Sequence, residues 1–175
     1  DNYIELEENY LLFFFKSLIY EKDYKINKQI EYLKRTIKIK NDFWPAYEKL
    51  FNLYEKTNNI INFFKLINDA KKIFLNNPKI NYYFALCLYR KNEIELSLKE
   101  IKLKNIEKDF IELENSSYLI NLYDLLSKIY LKNNKYKLSL ELSIKRNFAS
   151  INSKKNKKFD KRILLETVKK YNVFY

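Results

Sequence analysis

Apolar residues recur along the chain with the three- to four-residue spacing of amphipathic helices. Four Tyr-x-Lys motifs begin at Tyr20, Tyr54, Tyr89 and Tyr130, and each closes a stretch with apolar residues on one helical face. Seven positions before them stand Phe13, Tyr47, Tyr82 and Tyr123. Because residues at i, i+4 and i+7 share one face of a helix, we predict that each stretch is a helix that buries both of its aromatic rings.

Each predicted helix is followed by a polar turn rich in Asn or Asp and then by a second amphipathic stretch. The faces predicted to turn inward contain Ile30, Leu33 and Ile37 in the first of these stretches and Phe64, Ile67 and Lys71 in the second, with Ala70 matching Thr36 as the smaller residue. Pro45 and Pro78 lie between successive pairs, where a helix can begin or end but not continue. The pattern therefore predicts a repeated helical hairpin.

The predicted hairpins account for most of the chain. We expect helices near residues 3–22 and 25–40, 44–57 and 60–76, 79–91 and 94–104, and 117–133 and 136–150, with a final helix near 160–171. Residues 105–115 fall outside the repeat and are predicted to form either an extra turn of helix or a loop. The pattern thus indicates an all-α protein without β-sheet.

A hairpin of about 34 residues with an aromatic at its fourth position, a small residue at its eighth and Tyr at its eleventh resembles the tetratricopeptide repeat. The matching units start near Tyr10, Trp44, Lys79 and Ile120. Ser17 and Ser127 fit the eighth position, whereas Phe51 and Leu86 depart from it, as does Lys16 at the seventh. The resemblance implies a right-handed superhelical solenoid over residues 1–150, followed over residues 151–175 by a basic linker and a capping helix.

Composition excludes several kinds of chemistry. The 175 residues contain no Gly and no His, so loops that cradle phosphate and catalytic or metal-ligating histidines cannot be built. The single Cys87 cannot form an internal disulfide and is expected to be a small core residue. We therefore predict a non-catalytic chain without cofactor or metal and, because there is no Met, a fragment of a longer protein.

Membrane insertion is not expected. The longest apolar run, from Tyr10 to Tyr20, includes Lys16 and covers about half of the roughly 20 residues that cross a bilayer. No feature of the cysteine usage requires an oxidising compartment. We predict a cytoplasmic protein.

A column of lysines is the first candidate for partner binding. Lys22, Lys56, Lys91 and Lys132 occupy the thirteenth position of successive units. The resemblance implies that equivalent positions align along an inner groove, where they could meet an acidic extended peptide. The alternative is that each lysine only complements the negative end of a helix dipole.

Other first-helix positions that commonly face the groove in this family would add Glu48, Asn52, Tyr83, Arg90, Asp124 and Lys128. This mixture does not reproduce the carboxylate clamp of chaperone-binding members. The expected partner is therefore a protein or peptide of a different kind.

The net charge of +12 raises the question of nucleic acid. Stacking on bases requires exposed aromatic rings among clustered cations, but most Phe and Tyr here recur at core spacing. The dense basic run "KKNKK" at 154–158 is explained equally well by a linker. Binding to RNA is kept as an alternative and is not the main prediction.

The end of the chain carries a second resemblance. The fourth unit is followed by a basic stretch and then by Phe159 and Asp160, which open the predicted helix "FDKRILLETVKKY". This order is similar to the end of the tetratricopeptide region in bacterial proteins that continue into a sulfotransferase domain. It implies that the chain presents an acceptor or partner to such a domain. The alternative is a stand-alone scaffold or assembly factor.

Overall fold

The computed structural model describes residues 9–75, 77–113 and 116–155, and all regular secondary structure in this part of the chain is α-helical. The helices are α1 (Tyr10–Lys22), α2 (Ile26–Ile39), α3 (Trp44–Lys56), α4 (Ile60–Ile73), α5 (Pro78–Arg90), α6 (Ile94–Leu103), α7 (Ile106–Glu112), α8 (Ser116–Lys132) and α9 (Tyr136–Lys155). The all-α prediction is confirmed for these residues.

Helices α2 to α6 and α8 begin and end within one turn of their predicted boundaries. Helix α9 continues past its predicted end at residue 150 to Lys155. Residues 105–115, for which a turn of helix or a loop was expected, contain the inserted helix α7. The predicted start of α1 at residue 3 and the predicted helix at 160–171 lie outside the described residues.

The chain divides into two compact units, Asp1–Tyr83 and Phe84–Tyr175, with the boundary inside α5. In the first unit α1 packs on α2, α2 on α3, and α3 on α4. In the second unit α8 packs along α9, and α7 contacts both α6 and α8. Hairpins formed by successive helices are therefore the elements of both units, with α7 inserted before the last hairpin.

All four hairpin turns close in the same way. A residue with positive φ follows the first helix of each hairpin, and these residues are Tyr24, Asn58, Asn92 and Asn134, with φ between 54° and 66°. In the first turn the Lys25 amide donates to the Tyr20 carbonyl at 2.9 Å and the Tyr24 amide donates to the Glu21 carbonyl at 3.2 Å, and the other turns repeat this pair of bonds. This is the Schellman arrangement, which usually needs Gly. A chain without Gly uses Asn, which tolerates the left-handed region better than most residues.

The turns also set the register of the third hairpin, which differs from the sequence alignment by one residue. The spacing from Tyr24 to Asn58 and from Asn58 to Asn92 is 34 residues in both cases. Leu88, not Tyr89, therefore takes the place that Tyr20 and Tyr54 have in the first two hairpins. The Tyr-x-Lys motif is displaced here because the left-handed residue and its hydrogen bonds, not the motif, determine where the helix ends.

A buried pair marks the point where the two helices of each hairpin come together. Twelve residues separate its members, which are Ser17 and Gln29, Phe51 and Phe63, Ala85 and Ser97, and Ser127 and Ser139. The Ser97 hydroxyl donates to the Ala85 carbonyl at 2.7 Å, and the rings of Phe51 and Phe63 lie 5.9 Å apart. The small residue of the third hairpin is thus Ala85, one position before Leu86, and it brings the helices close enough for a hydrogen bond from a side chain to the backbone.

The aromatic core agrees in part with its prediction. Tyr47, Tyr54, Tyr82 and Tyr123 are buried, whereas Phe13, Tyr20, Tyr89 and Tyr130 are half-buried. In the first hairpin Lys16 and Arg35 lie within 6 Å of the rings of Phe13 and Tyr32. The residue equivalent to Lys16 in the second hairpin is Leu50. The rings of the first hairpin are therefore covered by cationic side chains where the second hairpin has an apolar one.

The second helices keep the predicted match of Thr36 with Ala70, and both residues are fully buried. Phe63 is buried on α4, whereas Phe64, the residue predicted to turn inward, is half-buried. The reason is the twelve-residue offset from Phe51, which places Phe63 at the hairpin crossing. Ile67 and Ala70 are fully buried as predicted, so the correction to α4 is that Phe63 takes the buried position expected for Phe64.

Replacing Tyr24 by Asn is expected to raise the free energy of unfolding of the first unit by about 1 kcal/mol. Tyr24 has a φ of 55° and a side chain that is 91% exposed, so it bears the steric cost of the left-handed region without packing in return. Denaturant titration measures the change. The reverse exchange at the equivalent turn, Asn58→Tyr, serves as the control and should destabilise by a similar amount. Equal stability of Tyr24→Asn and wild type would contradict the proposed strain.

Candidate partner-binding site

Five side chains of the first unit form a polar and aromatic surface, which we call the Trp44 cluster: Trp44, Glu48, Asn52, Lys79 and Tyr83. The first three share a face of α3 at i, i+4 and i+8, and the last two lie one turn apart on α5. The structure thus brings together three of the predicted groove residues, Glu48, Asn52 and Tyr83. Trp44 and Lys79 were not among the predicted groove residues, although their four-residue spacing from Glu48 and Tyr83 was a usable signal.

The contacts in the Trp44 cluster are specific. Trp44 Nε1 donates to Glu48 Oε2 at 3.2 Å, and the Tyr83 hydroxyl donates to Asn52 Oδ1 at 3.0 Å. Lys79 Nζ lies 5.7 Å from the centre of the Trp44 ring. The Tyr83 ring is buried against Phe51, so only its hydroxyl takes part in the surface. Tyr83 therefore orients Asn52, which is the exposed member of the cluster.

The lysines predicted to form a column are divided between the two units. Lys22 and Lys56 are exposed at the ends of α1 and α3. In the second unit Lys91 forms an ion pair with Glu93. Lys132 Nζ donates to Asn92 Oδ1 at 3.2 Å and lies 4.8 Å from the centre of the Tyr89 ring. Lys91 and Lys132 therefore belong to adjoining turns, and each has an intramolecular partner.

The corrected register changes which cation is equivalent in the third hairpin. Lys22, Lys56 and Lys132 are the last helical residues of α1, α3 and α8, and the last residue of α5 is Arg90. Lys91 lies one position beyond the helix. A cation at the end of each first helix is thus retained in all four hairpins, as expected for residues that complement the helix dipole.

Asp124 and Lys128 of α8 form an ion pair, and Arg146 of α9 joins it with Nη1 2.7 Å from Asp124 Oδ1. Burial acts to raise the pKa of Asp124, but the hydrogen bonds and charges of Lys128 and Arg146 outweigh it and hold the pKa below its usual value. The carboxylate is therefore ionised at neutral pH. Arg146 was not predicted because its contact with Asp124 depends on how α9 packs against α8.

The inserted helix α7 adds a second polar group. Glu107 Oε1 accepts a hydrogen bond from the Tyr123 hydroxyl at 3.0 Å and lies 3.5 Å from Lys145 Nζ. Burial and the neighbouring Glu107 charge raise the pKa of Tyr123. Beside this group lies a cavity of about 640 Å³, lined by residues of α6, α7, α8 and α9. Nothing in the repeat pattern predicted this cavity, because α7 lies outside the repeat.

The described residues contain neither a candidate metal site nor an ionised cysteine. Among them no group of three or more His, Cys, Asp or Glu is placed to hold a metal ion. Burial raises the pKa of the Cys87 thiol to about 11, so the thiol is protonated at neutral pH. In the same part of the chain no helix is both long and apolar enough to cross a bilayer.

A scan against models of known protein families finds no match, and a search of curated proteins finds no similar sequence. Function must therefore be inferred from the contacts of the chain itself. The Trp44 cluster is the surface in which the largest number of predicted groove residues come together.

Proposed function

We propose that this chain is a non-catalytic helical-repeat module of the tetratricopeptide kind, and that its Trp44 cluster binds a protein or peptide partner. Four hairpins with the same closing turn and the same buried crossing support a repeat protein, and three of them keep a 34-residue period. Proteins of this kind use extended surfaces formed by successive repeats to bind partners.

The observation that carries the proposal is the fixed orientation of Asn52. Its Oδ1 accepts the hydrogen bond from Tyr83, and this leaves the amide hydrogens of Asn52 turned toward solvent on an exposed side chain. An amide held in this way can donate to a backbone carbonyl of a bound peptide without first losing rotamer freedom. The half-buried Trp44 ring would give the same peptide an apolar contact.

The proposal is tested by capturing partners from an extract of the protein's own cells with the immobilised wild-type chain and two variants. Asn52→Ala removes the amide, and Asn27→Ala removes another exposed amide, from α2, as a matched control. A partner of this site should bind the Asn52→Ala variant about fivefold more weakly, since one hydrogen bond is worth about 1 kcal/mol. It should bind Asn27→Ala as well as wild type. Equal capture by all three chains would exclude the Trp44 cluster as the binding site.

Exchanging Lys22, Lys56, Lys91 and Lys132 together for Gln is expected to lower stability by a few tenths to 1 kcal/mol at each of the three helix ends, those of Lys22, Lys56 and Lys132, and to leave partner binding unchanged. The reason is that none of the four lysines belongs to the Trp44 cluster, and Lys91 and Lys132 already contact Glu93, Asn92 and the Tyr89 ring. Denaturant titration and the same capture assay measure the two effects. A sharp loss of binding in the quadruple variant, with wild-type affinity that falls as salt rises, would instead support a lysine column for an acidic peptide.

RNA binding is disfavoured by the contacts between cationic side chains and aromatic rings in the first hairpin. Lys16 and Arg35 lie over the rings of Phe13 and Tyr32, so the ring faces needed for base stacking are already occupied.

A role in presenting an acceptor to a sulfotransferase domain stays a prediction from the sequence of residues 151–175. A stand-alone scaffold uses the same Trp44 cluster and makes the same predictions.

A further inference from the structure

The inserted helix α7 forms one wall of an open groove in the second unit. Ile106 and Phe110 are fully buried and fix α7 in place, whereas Ile111 on its other side is 53% exposed. The groove has a volume of about 640 Å³, within the range of roughly 300–1,000 Å³ that is usual for ligand sites. It shares no residue with the Trp44 cluster, so the two surfaces can be tested independently.

The groove has an apolar floor and edge. Ile101 of α6, Leu126 of α8 and Leu142 of α9 are buried beneath it. Leu138 of α9 lines the groove and is 40% exposed. Ile111 of α7 also lines it and is more exposed. These two side chains leave apolar surface accessible at the edge of the groove.

The charges around the groove narrow the choice of occupant. Glu107 is paired with Lys145, and Lys108 is paired with Glu112. Two further charges line the groove, Lys102 on α6 and Glu141 on α9, and neither forms an ion pair with another described residue. An occupant that complements the groove therefore has an apolar stripe, an acidic group for Lys102 and a basic group for Glu141.

We propose that this groove binds an amphipathic helix of a partner protein, with its apolar stripe on the floor and opposite charges on its two flanks. A helix presents apolar residues at i, i+3, i+4 and i+7 in one stripe, and grooves between helices commonly bind such a segment. An extended peptide that binds by adding a strand to a sheet would need an exposed strand edge for its backbone hydrogen bonds. The described residues contain no strand, so they offer no such edge.

The test uses three fluorescently labelled synthetic peptides of 16 residues with Leu at the stripe positions. One has Glu on one flank and Lys on the other, one has Glu on both flanks, and one has Lys on both. Fluorescence anisotropy with the full chain should rank the mixed peptide first. A helix can lie in the groove in either direction, so Lys102→Glu, which makes both unpaired charges acidic, should move the preference to the peptide with Lys on both flanks. An unchanged ranking, or no binding of any peptide, would overturn the proposal.

A matched pair of substitutions locates the binding. Leu138→Lys places a charge at the edge of the groove and should weaken binding of the mixed peptide at least about tenfold. Leu140→Lys changes a residue two positions further along α9 that is 48% exposed and does not line the groove, and it should leave binding unchanged. Equal losses in both variants would contradict the assignment.

Other occupants give distinct results. Sedimentation of the wild-type chain would reveal a dimer that Leu138→Lys dissociates if the groove held a second copy. Native mass spectrometry would reveal a bound aliphatic molecule that survives purification if the groove held a small apolar ligand. Either result would overturn the assignment to a partner helix.

Discussion

Replacing Phe51 by Ala is expected to lower the free energy of unfolding of the first unit by about 3–5 kcal/mol. Phe51 is fully buried, and its ring lies 4.8 Å from that of Tyr83 and 5.9 Å from that of Phe63. It occupies the crossing of the second hairpin, where the equivalent residues of the other hairpins are Ser or Ala. Truncation would leave a void between α3 and α4 that the surrounding rings can fill only in part.

The measurement is a urea titration that follows the fluorescence of Trp44, the single tryptophan, whose ring lies 6.1 Å from that of Phe51. Phe15→Ala is the matched control because the Phe15 side chain is 57% exposed on α1. It should change stability by less than about 1 kcal/mol. A loss for Phe51→Ala no larger than that of the control would mean that the ring does not hold the hairpin together. Phe51→Ala should also weaken partner binding, since Tyr83 packs on the Phe51 ring.

Replacing Phe110 by Ala is expected to destabilise the second unit by a similar amount, about 3–5 kcal/mol, and to release α7. The Phe110 ring is fully buried and lies 5.1 Å from that of Tyr118 on α8. A helix of seven residues has little stability of its own, so α7 depends on the burial of Ile106 and Phe110. Without this anchor the groove would lose one of its walls.

The thiol of Cys87 can report on opening of the second unit. Cys87 is fully buried, so its thiol should react with a disulfide reagent only when this part of the chain opens. Phe110→Ala should therefore speed the reaction markedly, whereas Ile111→Ala, on the exposed side of the same helix, should not. The mixed peptide should also lose affinity for Phe110→Ala. Rapid reaction of Cys87 in the wild-type chain would contradict its burial.

Local interactions explain why so much of the fold could be predicted from sequence. Helical periodicity located the hairpin helices, because an apolar stripe every three to four residues favours one backbone conformation. The Asn-rich turns located the hairpin ends, because Asn accepts the left-handed geometry that a closing turn needs. Glu48 and Asn52 were assigned to one face of α3 from the resemblance, and their four-residue spacing along the helix is consistent with that assignment.

Predictions that depended on two elements meeting in space were less accurate. The third hairpin differed by one residue because the backbone bonds at Asn92 overrode the Tyr-x-Lys motif. The Trp44 cluster required the packing of α5 against α3, and the pair of Asp124 with Arg146 required that of α9 against α8. Side-chain contacts of this kind depend on the distance and rotation between helices, which no single stretch of sequence encodes.

The sequence by itself determined that the chain forms helical hairpins, where their turns lie, and that chemistry based on Gly or His is excluded. Only the tertiary structure decided that Phe63 and not Phe64 is buried on α4, that residues 106–112 form a helix, and that this helix leaves a groove beside α9. The physical reason is the range of the forces involved. Helices and turns are fixed by hydrogen bonds between residues a few positions apart, whereas a groove is the space left after distant side chains have packed.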